Sequence, residues 1–255
     1  MLKNDKYEVV IGLEIHAQLN TNSKAFCSDK VAFGSAPNTL VSSISLGHPG
    51  TLPVHNKEAV NMAIMLGLAC GCDIREYNTY DRKNYFYADL PKGYQVTQMD
   101  TPICNNGKVE ITLADGRTKD IHLTRIHMEE DTGKGLHDLD LENTLMDYNR
   151  AGTPLVEIVT EPDFRSGDEA YAFLSEVRKL VRYLGVCDGN MEEGSLRCDA
   201  NVSIRPLGRE EFGVKVEVKN MNSMSNVKKA IEHEFERQCE MADNGEEIFS
   251  ETRSF

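Results

Sequence analysis

Val9, Ile11, Leu13, Ile15, Ala17 and Leu19 alternate without a break through "KYEVVIGLEIHAQLN". Few patterns constrain a chain more. A strand sends successive side chains to opposite faces, so this run demands one long strand with one buried face. The other face carries Glu14, His16 and Gln18 side by side. An antiparallel strand packed on one side shows water its second face, and polar residues there need no further reason. The run therefore predicts a sheet covered on one side. It leaves open whether the polar side does any work.

Further stretches repeat the pattern. "RIHMEEDTGKG" puts Arg125, His127 and Glu129 on one face, and Ile126 and Met128 on the other. "TPLVEIVTEPD" sets Glu157 between Val156 and Ile158. "MEEGSLRCDANVSIRP" places Glu192 and Glu193 before a Gly turn. It then alternates Asp199, Asn201, Ser203 and Arg205 against Val202 and Ile204. "FGVKVEVKNMNS" alternates Val214, Val216 and Val218 against Lys215, Glu217 and Lys219. Each stretch alone suits a solvated strand face. Together they suit a sheet whose open face is a working surface. Carboxylates converging from several strands repel one another unless a cation sits among them. Hard oxygen ligands with one imidazole suit Mg²⁺ or Mn²⁺. The interleaved Arg and Lys suit phosphate oxygens. The residues read as a metal–nucleotide site on a curved antiparallel sheet.

Helices separate some of these strands. "NKEAVNMAIMLGLACG" predicts a helix from Asn56 to about Gly71. "SGDEAYAFLSEVRKLVRYLG" opens on Ser166 with Glu169 three residues on, a capping box, and closes at Gly185. "SNVKKAIEHEFERQCEMADNG" predicts a third helix from Ser225 toward Gly245. "KVEITLADGRTKDIHL" reads as a hairpin around Asp115-Gly116. The regular alternation of a parallel sheet is missing, so the expected class is α+β with a largely antiparallel sheet. The closing "EEIFSETRSF" offers no packed final element, which suggests a chain cut from something longer.

A chain of 255 residues can form one large domain or two small ones. Its formal net charge of -13 should repel a phosphate backbone. Any nucleic acid it handles is then gripped elsewhere, with only its end presented here. The seven Cys are scattered and odd in number, and "MLKNDKYEVV" lacks a secretory core segment. No apolar run reaches membrane-spanning length. These features point to a reducing cytoplasm and no membrane. Cys70 and Cys72 read as small core residues at a helix end. His48, His55, His122, His137 and His233 sit singly and read as ordinary polar residues. "EEDTGKG" lacks the upstream Gly and the Ser or Thr of a P-loop. Neither a G-x-S-x-G elbow nor H-E-x-x-H occurs.

The blocks "VIGLEIHAQLNTNSKAFC", "LGHPGTLPVHN", "DRKNYFYADLPKGYQVTQ", "RIHMEEDTGK", "DYNRAGTPLVEIVTEPD", "MEEGSLRCDANVSIRP" and "EVKNMNS" resemble, in order, the signatures of the B subunits of the glutamyl/aspartyl-tRNA amidotransferases. The resemblance runs from about Tyr7 to the end of the chain. It implies that residues 1–255 form the cradle domain, with a glutamine synthetase-like fold. It also implies later helical and tail domains that hold the tRNA body and are absent here. Such a cradle binds ATP and Mg²⁺ and phosphorylates the side-chain carboxylate of glutamate or aspartate misacylated on a tRNA. A partner amidase, the A subunit, supplies ammonia, and a small linker, the C subunit, ties the two together.

On that resemblance, Glu14, His16, Glu129 and Glu157 are expected to hold metal, with Glu192 and Glu217 ranked behind them. Arg125, Lys134, Arg197 and Lys219 are expected at phosphate, and Lys219 with Glu14, His16 and Glu129 in catalysis. Asp81, Lys83, Tyr85 and Lys92 would face the aminoacyl end of the tRNA, or else form a buried aromatic wedge. The chain departs from the family where many members carry a four-Cys zinc site. Cys27 remains, but the other positions read Asp29, Ser42 and Ser45, so no zinc is expected. His48 and Ala88 stand where a hydrophobic residue and a proline are more usual. Two other classes remain: a Mg²⁺-dependent phosphohydrolase using the same acids, and a non-catalytic scaffold with solvated strand faces.

Overall fold

The alternating run forms β1, Tyr7–Gln18, and every apolar residue of its inner face is buried. The structure is a computed structural model that describes residues 4–136, 139, 140 and 142–255. After β1 come α1 (Lys57–Ala69), β2 (Asp73–Ile74), β3 (Asp81–Asn84), β4 (Tyr94–Thr97), β5 (Cys104–Asn105) and β6 (Lys108–Thr112). They are followed by β7 (Thr118–Glu130), β8 (Lys134–Leu136), β9 (Leu145–Asp147), β10 (Pro154–Thr160) and α2 (Gly167–Tyr183). The chain closes with β11 (Leu196–Pro206), β12 (Val216–Met221), α3 (Met224–Asp243) and β13 (Thr252–Ser254). His137, read above as an ordinary polar residue, lies outside the described residues.

A nine-stranded sheet runs in the order β13-β12-β11-β1-β10-β7-β5-β2, with β6 also paired to β7. Its pairs are antiparallel apart from β12 with β13. The class is α+β, as expected. Two hairpins, β3–β4 and β8–β9, form separate two-stranded sheets. Sequentially distant strands flank β1, so its neighbours come from residues far along the chain.

Helices α2 and α3 pack on each other, with α2 against β6 and α3 against β11, while α1 packs on β7. One core joins Ile11, Leu13 and Ile15 of β1 to Ile126, Val156 and Ile158 of the neighbouring strands and to Phe173, Val177, Ile231 and Phe235 of the helices. Each such side chain contributes about 1.5–3 kcal/mol on burial, enough to fix which face of β1 turns inward. Glu14, His16 and Gln18 stay half-buried on the other face.

Local chemistry sets the helix ends. Ser166 Oγ accepts from Glu169 N at 3.2 Å, one half of the expected capping box. The reciprocal half shifts by one residue. Glu169 Oε2 accepts from the backbone N of Arg165 at 2.8 Å and from Lys119 Nζ at 2.9 Å, which ties the helix start to β7. Gly185, at φ +71°, supplies the left-handed residue that stops α2. The third helix starts before Ser225, because Ser223 Oγ accepts from Asn226 N at 3.1 Å and caps it earlier.

Three details differ from what the sequence predicts. The second hairpin arm and "RIHMEE" are one continuous strand, β7, whose register to β10 slips between Val159 and Thr160. Val214 is 46% exposed, because β12 begins only at Val216, opposite Val202. The final residues do pack: β13 adds a parallel edge strand, fixed by Glu217 N to Glu251 O at 2.9 Å and Phe255 N to Lys219 O at 3.0 Å. Cys70 and Cys72 are buried as free thiols, and burial pushes them up to about 12 and about 11. The loop from Cys27 to Ser45 is closed by hydrogen bonds. Asp29 Oδ2 accepts from Ser42 N at 2.8 Å and from Ser45 Oγ, and Cys27 Sγ lies 3.4 Å from that hydroxyl. No helix among the described residues is long and apolar enough to cross a membrane.

Candidate functional site

Antiparallel register lines up Arg197, His16, Glu157 and His127 across β11, β1, β10 and β7. The next row along the strands holds Asp199, Glu14, Val159 and Arg125. Glu129, two residues beyond His127 on β7, lies opposite Leu155. Residues directly opposite in an antiparallel pair share a face. The open side of the sheet therefore gathers acids, imidazoles and guanidinium groups from four different strands.

His16 Nε2 lies 3.5 Å from Glu129 Oε1 and 3.5 Å from Glu157 Oε2. One ligand atom from each of the three lies within 4.8 Å of the others, a spacing that a single ion can span. His127 Nε2 stands 3.2 Å from Glu157 Oε2 and 4.0 Å from Glu129 Oε2. Arg125 Nε donates to His127 Nδ1 at 3.2 Å.

The charges at the cluster pull in opposite directions. Burial pushes the Glu129 carboxyl up, aided by the Glu157 charge and opposed by His16. Burial also acts to raise Glu157, but hydrogen bonds from His127 and His16 outweigh it and hold that carboxyl low. At His16, burial acts to lower the pKa, yet the Glu157 hydrogen bond and the Glu129 and Glu157 charges raise it. So the two carboxylates, one buried and one half-buried, crowd a single His16 imidazole, with His127 serving Glu157 from the other side. A divalent cation satisfies both acids at once and leaves the imidazole neutral to ligate. One nitrogen and two carboxylates from rigid strands fit such an ion and leave open positions for water or a phosphate oxygen.

A cavity of about 430 Å³ opens above the cluster, lined by Glu14, His16, Arg125, Glu129, Glu157 and Lys219 among others. A neighbouring one of about 480 Å³ shares His16 and Lys219 and extends to Arg197, Asp199 and Asn220. Glu14 lines the first cavity, and its Oε1 accepts from Asn201 Nδ2 at 2.9 Å, outside the three-ligand cluster. Glu217 lines it too, paired to Lys219 at 3.0 Å and accepting from Thr252 Oγ1 at 2.9 Å. Lys219 also meets Asp199 at 2.8 Å. Burial acts to lower its pKa, but those carboxylates raise it and keep the ammonium charged.

The other residues named from sequence are spread over several cavities. Glu192 sits in the turn before β11 and lines two further cavities, one of them shared with Lys134. Arg197 gives both terminal nitrogens to Asp131, at 2.9 and 3.1 Å. Asp81 and Lys83 line the cluster's cavity. Lys83 Nζ stands 5.6 Å from the Tyr85 ring centroid, and burial pushes the Tyr85 phenol up to about 12, helped by nearby acids including Asp89 and Glu129. Lys92 instead pairs with Glu130 and lines a third cavity of about 360 Å³ with Tyr80 and Tyr94. The aromatic block thus straddles two cavities.

Two further polar side chains near this face lie outside the set expected from sequence. His127 falls on the predicted polar face, and its spacing from Arg125 and Glu129 is the signal that marks it. Asp131 lies just past the end of β7, where alternation no longer marks a face. It is buried and binds Arg197, Gln18 and the Thr132 backbone.

Fold and site together define an α+β protein with a candidate divalent-cation centre on the polar face of an antiparallel sheet. The chain belongs to the GatB/GatE catalytic domain family, whose model matches residues 9–255. It is 54% identical over 253 residues to the B subunit of the aspartyl/glutamyl-tRNA(Asn/Gln) amidotransferase of Synechococcus sp. (strain JA-2-3B'a(2-13)), covering 97% of this chain and 52% of that one. It is 56% identical over 250 residues to the protein of the same name from Pseudomonas aeruginosa (strain LESB58), covering 98% and 52%. The counterpart in Rippkaea orientalis is also 56% identical, over 258 residues. The chain spans about half the length of the curated relatives it matches.

Proposed function

We propose that this chain is the carboxylate-activating cradle domain of a tRNA-dependent amidotransferase, working with ATP and Mg²⁺ or Mn²⁺. The observation that carries the reading is the convergence of His16, Glu129 and Glu157 beneath a cavity rimmed by Arg125 and Lys219. The relatives' names supply the reaction class: amidation of aspartyl- or glutamyl-tRNA.

A carboxylate is a poor acyl donor because its oxygen leaves badly. Attack of the glutamate or aspartate side-chain oxygen on the γ-phosphorus of ATP releases ADP and makes an acyl phosphate. Ammonia then attacks the acyl carbon, and phosphate departs with the carboxylate oxygen. His16, Glu129 and Glu157 would hold the cation, which supplies Lewis acidity toward phosphate oxygens when bound. Glu14 and Glu217 line the same cavity and would serve a second ion or its water. Lys219 and the terminal nitrogens of Arg125 face the transferring phosphoryl as fixed positive charge. Asp81 and Lys83, which line the same cavity, would receive the aminoacyl end, with Tyr85 beside Lys83. A partner amidase provides the ammonia, and a small linker protein joins the two. The tRNA body is held by helical and tail domains outside this one, in keeping with the net charge of -13 here. These steps belong in the cytoplasm, with translation.

An oxygen label separates this reading from a phosphohydrolase. The side-chain carboxylate of glutamyl-tRNA is labelled with ¹⁸O and turned over by the amidotransferase assembled on this sequence. One ¹⁸O per turnover is expected in the inorganic phosphate. Phosphate carrying solvent oxygen alone would show hydrolysis instead of carboxylate activation.

A further inference from the structure

The open face holds two imidazoles within reach of Glu157, and only His16 belongs to the converging ligand set. We propose that His127 is a positioning residue: locked by Arg125 on one side, it holds Glu157 in place for the cation and does not ligate. This rests on the metal reading above.

Hydrogen-bonding capacity fixes the direction of each contact. An arginine Nε carries a proton and has no lone pair to offer, so it can only donate. Arg125 Nε points at His127 Nδ1 at 3.2 Å, and that nitrogen must therefore accept. A neutral imidazole that accepts at Nδ1 carries its proton on Nε2. Nε2 faces Glu157 Oε2 at 3.2 Å. The chain of donors then runs one way, from Arg125 to His127 to Glu157. A protonated Nε2 has no lone pair for a metal, so the ring cannot ligate while Arg125 stays in place. His127 is 3% exposed, so solvent cannot easily replace either partner. The β10–β7 register fixes the ring's place directly opposite Glu157.

The role is that of an outer partner which fixes the orientation of a metal ligand, with the usual polarity reversed. Commonly a carboxylate orients a ligating histidine; here a histidine orients a ligating carboxylate. Loss of such a partner typically weakens metal binding ten- to a hundredfold. The bond to His127 uses only Nε of Arg125, which leaves the terminal nitrogens for phosphate, so the same guanidinium can serve both tasks.

The test is Mn²⁺ titration of the chain, following the signal of free aqueous Mn²⁺ by electron paramagnetic resonance. Folding of each variant is checked by circular dichroism. His16→Ala, which removes a ligand, sets the floor. His127→Ala is expected to weaken Mn²⁺ about tenfold. His127→Gln should come within about threefold of the unmodified chain, because an amide can accept from Arg125 and donate to Glu157. Arg125→Met is the sharpest arm. Removing a nearby positive charge should by itself tighten cation binding; the proposal expects binding to weaken several-fold instead. Unchanged affinity in His127→Ala, tighter binding in Arg125→Met, or His127→Gln as weak as His16→Ala would each overturn it. If His127→Ala does not fold, the Gln and Met arms still decide. No Mn²⁺ binding by the unmodified chain overturns the metal reading, and the inference with it.

Discussion

Asp131→Asn is expected to destabilise the fold by about 3 kcal/mol. The side chain is 4% exposed and accepts from Arg197 at 2.9 and 3.1 Å, from Gln18 at 2.7 Å and from the Thr132 backbone at 3.0 Å. Arg150 Nε adds a second cation at 3.6 Å. Asparagine keeps the shape and loses the charge, which leaves two guanidinium groups facing a neutral amide. Removal of one partner of a buried pair costs about 3–5 kcal/mol, and both arginines are close to a third exposed, so rehydration favours the lower figure. Urea unfolding of the two proteins is the measurement, and a difference below about 1 kcal/mol would contradict it. The pH dependence follows from the sign of the shift. Burial acts to raise the Asp131 carboxyl, but the charges of Arg197 and Arg150 outweigh it and hold it low. A depressed carboxylate contributes fully above its unfolded pKa of about 3.9 and loses that contribution as pH falls through the folded value. The gap between the two proteins should therefore hold at neutral pH and narrow only in acid.

The second large effect concerns chemistry. His16→Ala and Glu157→Gln, each placed in the assembled amidotransferase, are expected to slow ATP-dependent amide formation by about a hundredfold or more. Either change removes one of the three groups that converge within 4.8 Å. His16 has 19% of its side chain exposed and Glu157 12%, so the unfolding midpoint should move far less than the rate. Release of ammonia from glutamine by the partner amidase should persist. Near-normal amide formation in both variants, at saturating Mg²⁺, would return this strand face to ordinary solvated polarity.

The periodicity of single strands makes much of this legible. An unbroken alternation marks β1, and the same signal puts His16, Glu129 and Glu157 on polar faces. It cannot show that the three meet. Their encounter depends on β10 and β7 lying beside β1 in one register, and that is decided by packing among distant segments. Alternation also runs past the end of real strands. Val214 continues the pattern of β12 on paper, yet it precedes the ladder and faces solvent. Glu192 precedes β11 in a turn, so an acid that looks continuous with Asp199 lies on other cavities. Lys134 belongs to the small β8–β9 hairpin instead of the main sheet. Asp131 is invisible for the opposite reason: its partners are two arginines brought in from β11 and the loop before β10, and no local pattern announces that.

Crystals soaked in Mn²⁺ and measured for anomalous scattering test the central claim most directly. A peak bonded to His16 Nε2 and to the carboxylates of Glu129 and Glu157 is the expected result. An empty cluster with Mn²⁺ ordered elsewhere, for instance at the Glu192–Glu193 turn, would contradict it.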